Sequence, residues 1–319
     1  MDCFSVRSWS LADLVGIEPR RYLLRPTALE FFFSNGSSAL INFYTHYNSP
    51  WGVPNPHGSG VRSTDTVAAH KRLREAIVEV ICSLSPAQLT HTPSLDTGVA
   101  ITASSGFSKD TNSMTQRWVR REISNLEYLL WLNRAAGRSF NDITQYPVLP
   151  WILSDYRNSP LNLMNASSFR DLTKPVGALD LKRVAQIKEN YKSLKDEGQL
   201  PFHYGSHYST AGLICFYLLR LEPFTSMSVE LQSGHFDVPD RLFSSIAECW
   251  EGCLHGMGDV KELIPEFFFL PEMLVNRSRL PLGDRQNCHG IVDDVELPAW
   301  AGDAFDFVWW HRRALETEH

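Results

Sequence analysis

The sequence lacks the motifs that mark the common nucleotide-dependent and hydrolytic enzymes. None of its 19 glycines precedes a lysine, so the phosphate-binding P-loop, which requires a Gly-Lys step, is absent. Neither the G-x-S-x-G nucleophile elbow nor the H-E-x-x-H zinc motif occurs, and the pair Gly256 and Gly258 opens no dinucleotide fingerprint. These absences give no indication of nucleotide-dependent or hydrolytic chemistry, and no cofactor is expected.

Long apolar runs are also absent. The longest, residues 211–221, is far shorter than the roughly 20 residues that a membrane-spanning helix needs. No apolar signal region follows the N-terminus, so the N-x-Ser sequons at Asn35, Asn165 and Asn276 are interpreted as chance matches. We therefore expect a cytoplasmic protein whose association with membranes is peripheral.

Strong charge and a dense cysteine pattern are likewise missing. A formal net charge of -6 argues against a nucleic-acid-binding protein, which usually carries a basic domain or stripe. The six cysteines are scattered along 319 residues, a chain long enough to fold without disulfide bonds, and we expect them to be reduced core thiols. The hydrophobic fraction, 43%, suffices for the core of one large domain or two smaller ones.

What the sequence does contain is an apolar stretch, residues 141–156, that cannot be helical. Pro147 and Pro150 lie among aromatic residues, and each removes an amide donor and extends the residue before it. The stretch predicts irregular, extended backbone inside a core, whose polar groups need hydrogen-bond partners. The candidate core residues are Asn141, Tyr146, Pro147, Trp151, Tyr204 and His207, and the candidate partners are Asn141, Asp142, Gln145 and Asp155.

The first third of the chain predicts β-structure followed by a helix. Two apolar runs within residues 20–43 flank Asn35-Gly36, a dipeptide typical of hairpin turns, whereas residues 1–18 are weakly patterned. A helix is predicted over residues 67–84, with one apolar stripe at helical spacing. That stripe comprises Leu73, Ile77, Val80, Ile81 and Leu84. Residues 85–114 are rich in Ser and Thr and lack periodicity, which predicts a linker.

The rest of the chain predicts helices separated by irregular segments. The predicted helices cover residues 125–136, 181–194 and 211–221, a stretch opened by Asp240, and residues 304–315. The first follows a Ser124-x-x-Glu127 capping box and stops at Gly137. Thr210 is expected to cap the third, which is apolar nearly all round and should lie in a core.

Two clusters contain metal-ligand residue types without the pattern of a metal site. His203 and His207 are four apart, but the glycine and tyrosines around them argue against the helix that would bring them together. Cys249 and Cys253 would share a helix face beside His255, yet no second Cys or His pair stands nearby to complete the four ligands of zinc. Structural roles are favoured for both clusters, and no metal is expected.

A third cluster contains His235 and Asp237, which could orient a general base. No nucleophile is marked out nearby, and a helix cap by Asp240 with an ion pair of Arg241 explains the run without catalysis. Other charged residues interrupt apolar runs, where an unpaired charge is costly. They are Arg170, Asp171, Lys174, Arg220, Glu222, Lys261, Glu262 and Glu266. We expect most of them to pair across an irregular core, the alternative being a recognition groove.

Residues 117–156 resemble the opening of the BEACH domain, and four later segments are similar to the same domain in the same order. They are residues 169–179, 202–210, 220–246 and 259–276. Upstream, residues 20–33 resemble the penultimate strand of the PH-like domain that precedes BEACH in this family. The resemblance predicts a partial PH-like domain over residues 1–86, a linker over 87–114 and a C-terminally incomplete BEACH domain over 115–319.

The resemblance implies an α+β fold. A partial PH-like β segment and a helix would be followed by a mostly α-helical BEACH domain with extended segments in its core, in agreement with what Pro147 and Pro150 require. The piece is expected to be truncated at both ends, with a WD40 propeller in the full-length parent.

The resemblance also implies a function. BEACH proteins are non-catalytic cytoplasmic scaffolds, associated peripherally with membranes in vesicle traffic, lysosome size control and autophagy. Protein partners are expected in a groove between the PH-like and BEACH parts. The candidate partner-binding or interdomain residues are Arg20, Arg21, Arg25, Arg117, Trp118, Arg120, Arg121 and Arg138. The alternative is weak binding of anionic lipid by the PH-like part, through Arg20, Arg21, Arg25, Lys71, Arg72 and Arg74.

Overall fold

The computed structural model describes residues 7–43, 63–84, 86–90, 114–157, 160–204, 210–256, 259–286 and 290–318. These residues form two compact units. The sheet unit contains the described residues up to Glu122 together with Arg134–Asp142, and the helical unit contains Ile123–Asn133 and the described residues from Ile143 onward. An antiparallel sheet and helices that do not alternate with it make the fold α+β, as predicted.

The sheet unit is built on three antiparallel strands in the order β1–β2–β3. Strand β1 spans Leu14–Tyr22, β2 spans Arg25–Phe33 and β3 spans Ser38–Asn42. The predicted hairpin at Asn35-Gly36 joins β2 to β3, and Gly36 has the left-handed φ of 82° that favours glycine in such a turn.

Strand β1 lies largely in the part of the sequence that was expected to be weakly patterned. Leu14 and Ile17 are buried, but Glu18 and Arg20 interrupt the apolar alternation from which strands are predicted. Glu18 stands directly opposite Glu30 of β2. Like charges opposite each other destabilise a sheet, so the two carboxylates need a positive charge close to them.

Helix α1, Ser63–Ser83, contributes Val78 to the core of the sheet unit. The buried apolar residues of that core are Leu14, Ile17, Leu29, Phe31, Phe33 and Val78. The predicted stripe is partly right, because Ile77 and Ile81 pack against this core. It is wrong at Val80, which is 59% exposed, whereas Val78 is only 1% exposed. Arg74, one turn before Val78, lies on the same buried face and donates to the Pro26 carbonyl at 2.9 Å. Because a charged residue lies on the buried face of α1, the spacing of the apolar residues alone does not identify that face.

Most of the remaining helices were predicted. Their bounds are Asn125–Ala135 for α2, Leu181–Asp196 for α3, Ala211–Tyr217 for α4, Phe224–Leu231 for α5, Ile246–His255 for α6 and Ala304–Leu315 for α7. Short 3-10 turns lie at Leu11–Asp13, Ala166–Ser168, Val176–Ala178, Pro239–Arg241, Pro265–Phe268 and Pro271–Leu274. Within the described residues, no helix has both the length and the apolar character needed to cross a bilayer.

Two helices begin where their predicted caps place them. The amide of Glu127 donates to Ser124 Oγ at 3.2 Å, and the amide of Ser124 donates to Glu127 Oε2 at 2.8 Å, which completes the capping box of α2. Thr210 Oγ1 accepts from the amide of Leu213 at 3.3 Å and caps α4. Helix α4 is largely buried, as expected, but it ends at Tyr217 and not at the predicted end of the apolar run.

The helix expected to open at Asp240 begins instead at Ile246. Ser245 is its N-cap, with Oγ accepting from the amide of Glu248 at 3.3 Å. Asp240 lies in a separate 3-10 turn and accepts from the backbone amide of Gln286 at 3.0 Å. The prediction is wrong because both residue types can cap a helix, and only the tertiary partner of Asp240 decides between them.

Extended backbone containing the two prolines runs through the core of the helical unit. Trp151 is fully buried, and its ring centroid lies 5.0 Å from that of Tyr156 and 5.2 Å from that of Trp250. Leu149 pairs with Leu263 in an isolated antiparallel bridge, with N···O distances of 2.9 and 2.8 Å. The irregular core predicted from the prolines is present.

The partners of this extended backbone come from distant parts of the chain. The side chain of Asn133 accepts from the amide of Val148 at 2.8 Å and donates to its carbonyl at 2.9 Å, so one amide group replaces a neighbouring strand. Glu262 accepts from the amide of Trp151 at 3.0 Å. Asn141 was expected to serve here, but it belongs to the sheet unit and donates to side chains of that unit.

Candidate functional site

A buried ion pair stands on the sheet, with Arg20 between Glu18 and Glu30. Nitrogens of its guanidinium lie 2.6 Å from an oxygen of each carboxylate. Glu18 and Arg20 share one face of β1 because alternate residues of a strand point the same way. Arg20 is 5% exposed and Glu30 is 2% exposed. The charge of Arg20 is thus used inside the protein, where it holds the two carboxylates together.

Side chains from Arg134–Asp142 complete this arrangement within the sheet unit. Arg134 Nε donates to Glu18 Oε1 at 2.6 Å, and its guanidinium lies 4.1 Å from the ring centroid of Phe32. Ser139 Oγ and Asn141 Nδ2 both donate to Glu30 Oε1, the latter at 2.9 Å. The ionic cluster, as we call it, consists of Glu18, Arg20, Glu30, Arg134, Ser139 and Asn141.

The ionic cluster is suited to joining chain segments. Its two carboxylates face two guanidiniums, so the formal charges cancel, and neutral donors fill further acceptor positions on Glu30. Ser139 is only 4% exposed, so its hydroxyl serves as a hydrogen-bond donor within the fold. Residues more than one hundred positions apart in the sequence are thereby held by charge-assisted hydrogen bonds.

The other candidate recognition residues also belong to the sheet unit. Arg21 is exposed on β1, whereas Arg25 and Arg138 are half-buried. The short helix over residues 114–119 is followed by Arg121, which has a left-handed φ of 60°.

Residues 117–121, which we call the basic turn, combine exposed arginines with an exposed aromatic residue. Arg117 and Arg120 approach Glu122 at 3.5 and 3.8 Å, but their side chains remain 46% and 65% exposed. Trp118 is 37% exposed and Val119 is 68% exposed. Exposed ion pairs of this kind contribute little to stability.

The candidate core residues are divided between the two units. Tyr146, Pro147 and Trp151 are buried in the helical unit, whereas Asn141 is exposed in the sheet unit and does not belong to a core. Tyr204 is half-buried against Gly177, where a Cβ atom would lie 2.5 Å from Tyr204 Cε1. His207 lies outside the described residues.

Two buried polar pairs in the helical unit have partners that the sequence did not identify. Tyr146 donates its hydroxyl hydrogen to Glu266 at 2.6 Å, and burial raises the pKa of Glu266. His311 lies between the Tyr156 hydroxyl at 2.9 Å and the Phe267 carbonyl at 3.2 Å. Burial lowers the pKa of His311 to about 4, so it is neutral in the folded protein at neutral pH.

Charged residues that interrupt apolar runs pair, as predicted. Arg170 forms an ion pair with Glu262 at 2.7 Å. Arg220 donates to the carbonyls of Phe243 at 2.7 Å and Asp293 at 2.9 Å, and burial lowers its pKa to about 10. These groups hold irregular backbone together.

The cysteine cluster is part of the helical core. Cys249 and Cys253 are buried on α6, with the Tyr217 hydroxyl 3.7 Å from Cys249 Sγ and the Lys261 carbonyl accepting from Cys253 Sγ at 3.3 Å. His255 is exposed and lies 3.2 Å from Asp180. Nowhere in the described ranges do three or more metal-ligating side chains converge.

The run around His235 contains the ion pair expected of Arg241. Its partner is Asp237 at 3.7 Å, and the side chain of Arg241 is 74% exposed. Asp237 also accepts from the backbone amide of Val238 at 2.8 Å. Asp237 is thus engaged with its own turn, which favours a structural role over that of orienting a general base.

An aromatic groove in the helical unit was not identified from the sequence. Its volume is about 570 Å³. The lining residues are Phe268, Phe269, Pro271, Glu272, Phe305, Val308, Trp309, Arg312 and Arg313. Phe305 is 60% and Trp309 50% exposed, and the Arg313 guanidinium lies 5.1 Å from the Trp309 ring centroid. The available signal was the spacing of these two aromatic residues, which share one face of α7 with the arginines.

The fold and these arrangements describe an α+β protein whose polar clusters hold segments of chain together. Residues 116–319 match the family described as Beige/BEACH domain, and residues 2–49 match the PH domain associated with Beige/BEACH. The chain belongs to the BEACH family, a family generally involved in vesicle traffic and membrane dynamics.

A curated relative supports the same assignment. The chain is 40% identical over 327 aligned residues to "BEACH domain-containing protein lvsD" of Dictyostelium discoideum. The alignment covers 98% of this chain and 10% of the relative, so the chain spans about one tenth of the length of that protein.

Proposed function

We propose that the chain is a non-catalytic scaffold that binds protein partners on the cytoplasmic side of membranes. The processes it serves are vesicle traffic and lysosome- or autophagy-related membrane dynamics. The observation that carries the proposal is the basic turn, where Trp118 and Arg120 are exposed beside each other in a chain of this family. Tryptophan and arginine are the residue types most enriched at interface hot spots.

The way in which buried polar groups are used supports a non-catalytic role. Glu266 accepts from Tyr146, Arg170 is paired with Glu262, and His311 is enclosed by two hydrogen-bond partners. A catalytic acid or base needs to reach a substrate. Groups that are buried and paired with other parts of the protein stabilise the fold instead.

A double substitution in the basic turn tests the proposal. Trp118→Ala with Arg120→Glu removes the exposed ring and reverses one charge, and neither residue is buried, so circular dichroism should be unchanged. Proteins captured from cytosol by the full chain should be depleted at least tenfold in this variant. Lys192→Glu, an exposed charge reversal on α3, serves as the control. Equal capture by all three proteins would show that the basic turn is not the binding surface.

A further inference from the structure

We propose that the tip of the β1–β2 hairpin, residues 22–25, is a membrane-contact site that inserts Leu23 and Leu24 into anionic bilayers. This inference goes beyond the proposed scaffold function and does not depend on it. It concerns direct lipid contact by the chain itself, whereas the scaffold function concerns protein partners.

The turn at this tip has a backbone that leucine disfavours. Tyr22 pairs with Arg25, which leaves only Leu23 and Leu24 to reverse the chain. Both residues have left-handed backbone, with φ of 47° and 65°. Such turns favour Asn-Gly, because branched side chains clash with the backbone in this region. The geometry of the turn therefore does not explain why leucine occupies these two positions.

Nor do the two side chains stabilise the core of the sheet unit. Leu24 is 76% exposed and Leu23 is 39% exposed, and neither belongs to the apolar cluster that contains Leu29 and Val78. Two neighbouring leucines that are unfavourable for the turn and unused in the core point to an external partner.

The charges around the tip indicate an anionic partner. Arg21 is exposed one residue before Tyr22, and Arg25 follows the turn. The bond from Arg74 to the Pro26 carbonyl brings the middle of α1 next to this end of the sheet, and Lys71 and the exposed Arg72 lie within one turn of Arg74. The acidic residue next to Arg74 in the sequence, Glu75, lies 3.7 Å from both Lys71 and Arg74. Basic residues that surround an apolar tip attract an anionic lipid surface.

The shape of the tip favours a membrane over a protein. A two-residue turn offers far less area than the roughly 800 Å² per partner that a stable protein interface buries. Leu23 and Leu24 project from a narrow hairpin, and neither of them lines the aromatic groove. A fluid bilayer can accommodate such a projection without a complementary pocket.

The decisive variant replaces Leu23 by Asn and Leu24 by Gly. Asn-Gly suits the left-handed turn, so the hairpin should be as stable as in the wild type or more stable, while the apolar tip is lost. The purified full chain should sediment with vesicles of mixed phosphatidylserine and phosphatidylcholine, and the variant should bind at least tenfold more weakly. Leu200→Asn, which changes a leucine that is 90% exposed in the helical unit, should bind like the wild type.

Further measurements distinguish lipid contact at the tip from binding of a protein there. Vesicle binding should weaken with salt and be much lower on pure phosphatidylcholine, and Arg21→Glu should reduce it. The Trp118→Ala, Arg120→Glu variant should keep its vesicle binding, so failure of the scaffold proposal would not be mistaken for failure here. The inference is overturned if the wild type does not bind anionic vesicles or if the Asn-Gly variant binds equally well. Loss of a protein partner by that variant, without vesicle binding by the wild type, would assign the tip to protein recognition instead.

Discussion

His311 shows at the scale of one residue how burial links stability to pH. The imidazole is fully buried, hydrogen-bonded to Tyr156 and Phe267 and stacked on Phe268 with ring centroids 4.4 Å apart. Burial lowers its pKa from 6.5 to about 4. Between these two values the unfolded chain binds more protons than the folded one, so stability rises with pH across this window and is lost as the pH falls through it.

We expect the free energy of unfolding to fall by about 2 kcal/mol on account of His311 between about pH 7.5 and about pH 5. Urea unfolding of the wild type and of His311→Gln at both pH values measures this contribution. Burial raises the pKa of Glu266, which acts in the opposite direction, but this effect is common to both proteins and cancels in the comparison. An identical pH dependence in the two proteins would contradict the assignment.

His311 also illustrates which residue roles the sequence could not reveal. The buried positions of Tyr146 and Trp151 followed from prolines within a few residues of them. The partners of His311, by contrast, lie 155 and 44 residues away. A hydrogen bond across such a distance leaves no local pattern, and without it a histidine on α7 looks like any helix residue.

At the scale of elements, the buried face of α1 can be tested with two neighbouring valines. Val78 is 1% exposed and Val80 is 59% exposed. Val78→Asp places an unpaired carboxylate in an apolar core and should cost several kcal/mol. Val80→Asp should change the free energy of unfolding by less than about 0.5 kcal/mol. Thermal unfolding of the two variants distinguishes this register from the apolar stripe, which would predict the larger loss at Val80.

The capping box of α2 gives a second test at this scale. Ser124→Ala removes the acceptor for the amide of Glu127 and should lower the free energy of unfolding by about 1 kcal/mol. Ser193→Ala, at an exposed position within α3, is the matched control and should have almost no effect. Chemical denaturation of the three proteins provides the comparison. Equal losses in both variants would mean that the cap contributes nothing specific.

The elements show where sequence reasoning works and where it does not. The start of α2 at Ser124 and the β2–β3 turn at Gly36 depend on residues within the same few positions, and both were predicted. Strand β1 was missed because Glu18 and Arg20, which look like surface residues, are neutralised by each other and by distant groups. The buried position of Arg74 was not predicted for the same reason, because its partner is the Pro26 carbonyl on another element.

At the scale of the molecule, the compact units do not coincide with the family matches. Residues 2–49 match the PH domain and residues 116–319 match the BEACH domain. The sheet unit nevertheless includes Arg134–Asp142 from the second match. Arg134 and Ser139 supply donors to Glu18 and Glu30. The sheet is therefore completed by residues that lie far beyond its own strands in the sequence.

This dependence predicts a local loss of stability when Glu30 is removed. Glu30→Ala leaves Arg20 with one carboxylate fewer in a buried site, removes the acceptor of the Ser139 hydroxyl and removes one of the two acceptors of Asn141 Nδ2. Breaking such a buried pair costs about 3–5 kcal/mol. Amide hydrogen exchange should accelerate in β2, whereas α4 and α6 of the helical unit should keep their protection. Glu79→Ala, at an exposed position of α1, controls for the loss of one negative charge. If Glu30→Ala accelerated exchange equally in both units, the ionic cluster would belong to the cooperative core of the whole protein and not to the sheet unit alone.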